Sequence, residues 1–429
     1  MTNLTKNLIF KIFGIEISNN TQLIKNLNYS LIAPMIGGVI AFPVMIAAGR
    51  IIGPEEFGRY LLIINAAAIF SVLFNYGLDI SMQRQLPKHP DKKYEIVKTL
   101  SLILLVTTLT ASVSLIVTKS IWIKWLGLSN ELFWWALVMG IFSTLMVIYE
   151  ACHRGLNNFK ILVKSNIFQS IILLITFSIL IFSAQYTHVA ITLSTLLGIF
   201  GAAMVYILGP KKRFKIKIDL TMAKQMLKYT TLIFFAAITG VIASKAYVFF
   251  LNQMTSLYWV GIYGAYLTGS NLFMNRIFTP FYKVYFPAIS GTKDKRLIFK
   301  LLRRGLIRSF PIIFIASVIL IYATVRLFGQ EYVLLPSLII LFALSNALSV
   351  IYLIYQALLH SQGVRGAKTV TIALTIKAFI SLSLLYILIP IWGIYGAITT
   401  TIIANTIFAL IYIYKAKVFL KNDYFNEAF

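Results

Sequence analysis

TLSLILLVTTLTASVSLIV, residues Thr99–Val117, runs without a single charged side chain. An α-helix needs about 20 apolar residues to cross the hydrocarbon core of a bilayer, so this stretch reads as a membrane span. Its flanks are unequal. Arg84, Lys88, Lys92, Lys93 and Lys98 crowd the N-terminal side, whereas only Lys119 and Lys124 follow. Basic loops stay on the cytoplasmic side, so the span enters from the cytoplasm and leaves outward.

The same pattern repeats along the 429 residues. Twelve apolar stretches are expected to span the membrane: Tyr29–Ala48, Tyr60–Ile80, Thr99–Val117, Leu132–Ala151, Ser165–Ser183, Val189–Leu208, Thr230–Leu251, Val260–Phe281, Ser309–Phe328, Leu335–Leu358, Val370–Ile389 and Ile394–Tyr414. Lys and Arg fall almost entirely in every second gap, most densely at Lys211-Lys212-Arg213-Phe214-Lys215-Ile216-Lys217. The expectation is an all-α polytopic membrane protein with both termini cytoplasmic. It divides into a leader (1–28), a six-helix bundle (29–209), a basic linker (210–229), a second six-helix bundle (230–414) and a tail (415–429). The leader, with Leu8, Ile9, Phe10, Ile12 and Phe13 between lysines, reads either as an amphipathic surface helix or as a disordered tail. Span 1 is expected to be retained as an anchor rather than cleaved.

A net charge of +26 with 59% hydrophobic residues would point to nucleic acid in a soluble chain. Here it is the imprint of topology together with attraction to anionic lipid headgroups, and no nucleic-acid partner is expected. The single Cys152 excludes an intrachain disulfide, and the four His residues are not spaced to hold a metal. No phosphate-binding Gly-x4-Gly-Lys-Ser/Thr pattern is present, and no gap has room for a soluble catalytic domain. Neither catalytic residue, cofactor nor metal is expected; the chain reads as a transporter rather than an enzyme.

The halves carry matching markers. Gly58-Arg59-Tyr60 after span 1 answers Gly261-Ile262-Tyr263 after span 7; Leu86-Pro87 answers Phe286-Pro287; and Cys152-His153-Arg154-Gly155 answers Leu359-His360-Ser361-Gln362-Gly363. Three markers in one order at nearly constant offset indicate duplication of a six-helix unit. Six is even, so both copies insert with the same orientation, as in alternating-access transporters built from parallel repeats.

Charges inside spans point to the cargo. Lys245 in span 7, Arg276 in span 8 and Lys377 in span 11 sit several turns inside apolar helices, where a charge normally faces a cavity or a partner. No carboxylate is expected at comparable depth, so these three are the candidate substrate-binding residues, lining a hydrated cationic cavity suited to an anion. The competing reading for each is snorkelling or capping of carbonyls at a helix break, and snorkelling accounts for Lys283 and Arg326. Asp79 and Glu150, near the inner ends of spans 2 and 4, are expected to meet Arg84 and Arg154, as inner-surface ion pairs or as a gate. Trp122, Trp125, Trp134 and Trp135 read as an interfacial belt before a sugar-stacking platform.

The run Gly49-Arg50-Ile51-Ile52-Gly53-Pro54-Glu55-Glu56-Phe57-Gly58-Arg59-Tyr60 resembles the first loop of the polysaccharide transporter family, the O-antigen and capsule repeat-unit flippases of the multidrug/oligosaccharidyl-lipid/polysaccharide exporter superfamily. Asn75-Tyr76-Gly77-Leu78-Asp79, Arg154-Gly155-Leu156, Leu327-Phe328-Gly329-Gln330-Glu331-Tyr332 and Ile389-Pro390-Ile391-Trp392-Gly393 are similar in family order. The resemblance implies a multi-pass protein of the bacterial inner membrane that moves an undecaprenyl-diphosphate-linked oligosaccharide from the cytoplasmic to the periplasmic leaflet. It also implies working beside a polysaccharide polymerase and chain-length machinery. One departure stands out: many relatives carry an acidic residue in span 7, near the place taken here by Lys245-Ala246-Tyr247. Two other readings remain: an ion-coupled drug or metabolite exporter of the same superfamily, which normally needs a membrane carboxylate, and, more remotely, a membrane-embedded polymerase, which would need a long outer loop.

Overall fold

A computed structural model describes residues 21–184, 186–207, 220–279, 282, 295–360 and 363–421. The regular elements among them are all helical: α1 (Thr21–Asn75), α2 (Leu78–Lys88), a short 3-10 turn (Pro90–Lys92), α3 (Lys93–Val117), α4 (Lys119–Leu126), α5 (Asn130–Gly155), α6 (Phe159–Phe182), α7 (His188–Ile207), α8 (Leu220–Met254), α9 (Leu257–Leu272) running into a π-helical turn (Phe273–Phe278), α10 (Lys295–Phe328), α11 (Pro336–His360), α12 (Gly363–Trp392) and α13 (Ile394–Lys421). Among the described residues the twelve expected spans lie on helical segments, with span 2 shared between α1 and α2. Nine helices among the described residues are long and apolar enough to cross a membrane; the first runs from Met35 to Asn75 and carries spans 1 and 2 in succession. Spans 7 and 8 lie on α8 and on α9 with its π-turn.

The segment between spans 1 and 2, expected as a loop, is instead a kink. Gly53, at φ 79° and ψ 171°, is the non-helical residue inside α1. Only glycine adopts that backbone without steric cost. Pro54 restarts the helix at once, because its fixed φ suits the first helical position, and Glu55 and Glu56 then meet the positive end of the helix dipole. A second break divides expected span 2, where Tyr76 (φ 49°) and Gly77 (φ 72°) separate α1 from α2.

The helices pack into two compact units, one of Ile32–Gly264 and a second made mainly from Ala265–Phe429. In the first, Leu78, Met82 and Leu86 of α2 interlock with Ile96, Leu100 and Leu104 of α3 and Ile148, Ala151 and Cys152 of α5. In the second, Val350, Ile354 and Leu358 of α11 pack against Val370 and Ala373 of α12 and Phe408 and Tyr412 of α13. Apolar side chains also face outward, as Leu105, Leu109 and Val113 do on α3 and Ile312, Ile315 and Ile319 on α10. Lipid tails are as apolar as leucine, so burying leucine earns little in a membrane and the interior is free to collect small and polar residues. Ser81, Thr99, Ser165, Thr192, Asn346 and Asn405 are accordingly buried.

Close approach substitutes for hydrophobic driving force. A Cβ on Gly58 would lie 2.3 Å from the Leu257 carbonyl oxygen and 3.3 Å from the Gly261 nitrogen; a Cβ on Gly261 would lie 1.9 Å from the Pro54 carbonyl oxygen. The two glycines of the sequence marker are therefore packing partners where α9 crosses α1 just past its kink. Of the other markers, Phe286-Pro287, Ser361 and Gln362 lie outside the described residues, as do Lys283, leader residues 1–20 and linker residues 210–219. On the outer side the short α4 brings the Trp122 ring to 5.5 Å from Trp125 and 5.7 Å from Phe70, and Lys119 lies 5.6 Å from the Trp134 ring.

Candidate functional site

Lys377 is halfway along α12. Its ammonium donates a hydrogen bond to Asn405 Oδ1 on α13 at 2.7 Å, and Asn405 Nδ2 donates to Ser349 Oγ on α11 at 2.8 Å. The ammonium also lies 3.9 Å from the centroid of the Tyr352 ring and 6.0 Å from that of Phe408. A desolvated cation over an aromatic face is stabilised by about 2 kcal/mol, and hydrogen bonds to a charged group by about 1.5–3 kcal/mol. These neutral dipoles hold the charge without cancelling it. Among the described residues no carboxylate forms an ion pair with Lys377.

The polar track continues along the same face of α11. Three residues before Ser349, Asn346 Oδ1 accepts from Ser270 Oγ of α9 at 2.6 Å, and Asn346 Nδ2 donates to Ser317 Oγ of α10 at 3.3 Å. Positions 346, 349 and 352 are separated by three residues each, which aligns them along one stripe of a helix. The second unit thus contains a line of amide and hydroxyl groups ending in a cation, shared among five helices.

Arg276 is half-buried and belongs to the π-helical turn that extends α9. The wider turn leaves the regular hydrogen-bond ladder, and Thr279 Oγ1 takes up the Met274 carbonyl at 2.8 Å. Such single π-turns recur at functional sites. Arg276 lies near the C-terminal end of the helix formed by α9 and its π-turn. Lys245, half-buried on α8 about 14 Å from Met254, has no ion pair among the described residues. It belongs to the first compact unit, whereas Arg276 and Lys377 belong to the second.

At the inner end of the first unit Arg154 Nη2 donates to Glu150 Oε1 one turn earlier on α5. Both side chains are partly exposed, so the pair is worth only about 0.3–0.5 kcal/mol. Asp79 opens α2 and is held by Asn75, whose Nδ2 donates to Asp79 Oδ1 at 2.7 Å while Asn75 Oδ1 accepts from the Asp79 backbone N–H at 3.2 Å. Arg84 lies five residues on, along the same helix.

A second constellation sits at the outer end of the first unit, and sequence reasoning missed it. Glu56 Oε2 accepts from the backbone N–H of His188 at 2.8 Å and lies 2.7 Å from His188 Nδ1. Arg59 Nη1 lies 3.0 Å from Glu56 Oε1, and His188 Nε2 lies 3.3 Å from Glu131 Oε1. Glu56 lies between the first two membrane crossings. Burial works against its charge, but the His188 backbone and side chain, together with the Arg59 guanidinium, hold its carboxyl below the ordinary value of 4.5. A cavity of about 490 Å³ adjoins the cluster, lined by Arg59, Ser129, Glu131, His188, Asn252 and Leu257 among others. Glu56 and His188 are 132 residues apart in the chain, a separation at which no spacing rule operates. Asn405 and Ser349 were missed for a different reason: single neutral polar residues in apolar helices look like packing residues until a cation is seen beside them.

The family described as "Polysaccharide biosynthesis protein" matches residues 23–293. Among solved structures, the chain is similar to an inward-facing multidrug resistance MATE family transporter of the MOP superfamily, with 14% identity, TM-score 0.69, and 92% of this chain and 98% of that one covered. It is also similar to an outward-facing MATE family transporter of that superfamily (16% identity, TM-score 0.62, 93% and 96% covered). A variant of the Vibrio cholerae MATE transporter VcmN matches at 13% identity and TM-score 0.62, covering 94% of this chain and 98% of that one. No curated protein matches. At these identities the solved structures establish a shared fold.

Proposed function

Because the chain belongs to the polysaccharide biosynthesis protein family, we propose that it is a flippase for an undecaprenyl-diphosphate-linked oligosaccharide. The cargo in this reading is the repeat unit of an O-antigen or similar surface polysaccharide, carried from the cytoplasmic to the periplasmic leaflet of a bacterial inner membrane.

The observation that carries this reading is Lys377, a mid-helix ammonium held by an amide and an aromatic face. A cation so placed keeps its charge for a ligand, and a diphosphate is a ligand of the right sign. At about 4 Å and intermediate screening one such charge pair is worth roughly 4 kcal/mol, enough to offset part of the headgroup's dehydration. The adjacent track of Asn346, Ser349, Asn405, Ser270 and Ser317 supplies neutral donors and acceptors of the kind that sugar hydroxyls exchange with water. Arg276 and Lys245 serve in this reading as further cationic stations as the headgroup moves by alternating access while the lipid tail stays in the bilayer.

The test is deletion of the gene in its native host, with surface polysaccharide and inner-leaflet lipid-linked repeat unit measured together, followed by complementation. Loss of the first with accumulation of the second, rescued by the wild type but not by Lys377→Met at equal membrane abundance, supports the proposal. Full rescue by Lys377→Met removes the role assigned to that residue. Normal surface polysaccharide with no trapped intermediate overturns the flippase reading and favours the exporter reading, with which the likeness to MATE transporters also agrees.

A further inference from the structure

His188 begins α7 and is only 5% exposed, yet both of its ring nitrogens face carboxylates on other helices. Nδ1 lies 2.7 Å from Glu56 Oε2 and Nε2 lies 3.3 Å from Glu131 Oε1, within ion-pair range although not aligned as a hydrogen bond. A neutral imidazole has one N–H and one lone pair. With the N–H given to Glu56, the Nε2 lone pair would face the Glu131 carboxylate 3.3 Å away. Only the doubly protonated ring satisfies both neighbours.

Charge counting agrees. Glu56 and Arg59 approach from α1 beyond its kink and Glu131 from the start of α5, while Ser129, Asn252 and Leu257 complete the wall without charge. With His188 charged, two carboxylates meet two cations; with it neutral, one negative charge is left uncompensated.

The geometry points to His188 as a proton-binding site on the outer side of the membrane, which ties the outer ends of α1, α5 and α7 together when occupied and releases Glu131 when empty. The proton leaves from Nε2 to outer water through the adjoining cavity; the Nδ1 proton stays with Glu56. Glu131 is the element able to move, since its side chain is 59% exposed and Glu56 is anchored twice more, by the His188 backbone and by Arg59. The site gives the protein a response to external pH, independent of what it carries.

The test is amide hydrogen exchange, read by mass spectrometry and corrected for intrinsic rate, on the full chain in lipid nanodiscs between about pH 5 and 8. Peptides covering 127–134 and 186–192 are expected to lose protection several-fold as pH rises, while peptides from α11 do not change. His188→Gln is expected to abolish the step and leave protection low throughout; Glu131→Gln, at an exposed position, is expected to diminish it. A wild-type protein without the step, or a step of full size in Glu131→Gln or in a folded His188→Gln, overturns the proposal.

Discussion

Replacing Gly261 by alanine adds one methyl group where α9 crosses α1, 1.9 Å from the Pro54 carbonyl oxygen and 2.6 Å from its carbon. Ordinary van der Waals contact begins near 3.4 Å. The obstacle is backbone on both sides, so no side chain can turn aside and the helices must separate by roughly 1.5 Å at the crossing. A gap of about 1 Å forfeits up to half of each heavy-atom contact worth ~0.1–0.2 kcal/mol, so loosening some twenty contacts costs about 1–2 kcal/mol. Residual strain brings the expected loss to about 1–3 kcal/mol or more. Gly240 supplies the control. It too lies within a helix, but a Cβ there meets nothing within 4 Å, so alanine should be neutral or stabilise by up to about 1 kcal/mol through helix propensity. Thermal unfolding of both variants in the same nanodiscs should give Gly261→Ala a clearly lower midpoint than wild type and Gly240→Ala an equal or higher one. Equal midpoints for the two variants would refute the claim that glycine at 261 is required by close approach.

Asn405→Asp should leave the protein folded, because the new carboxylate lies beside the Lys377 ammonium, yet should abolish transport in the complementation assay, because a pair worth roughly 4 kcal/mol then occupies the cation intended for the cargo. Retained transport would show that the free charge of Lys377 is not used. Glu56 gives a pH dependence. Its carboxyl is held below the ordinary value of 4.5, so its contribution to stability is complete above that value and is lost as pH falls through the lowered one. Thermal midpoints measured between pH 3 and 6 should show an acid-side decline that is flatter in Glu56→Gln, with the variant less stable than wild type at the upper end of that range.

The arrangement of spans was legible because it depends on local quantities. Twenty apolar residues in a row and a bias of Lys and Arg between them are properties of short windows, and the bilayer reads them one window at a time. Reading Gly53 as part of a loop failed because one residue in an unusual backbone state can turn a chain as sharply as several residues can, and composition does not distinguish the two.

What holds and surrounds each charge was decided only by the tertiary structure. The sequence singled out Lys377 as costly, but its comfort depends on Asn405, Ser349 and Tyr352, which arrive from two other helices. Likewise Glu56, Glu131 and His188 look like ordinary boundary residues until three helix ends bring them within 3.3 Å. A membrane span is selected by its average hydropathy, which a single polar residue barely alters. The energy of a buried charge is set by the few ångströms around it, and those distances exist only once the helices have packed.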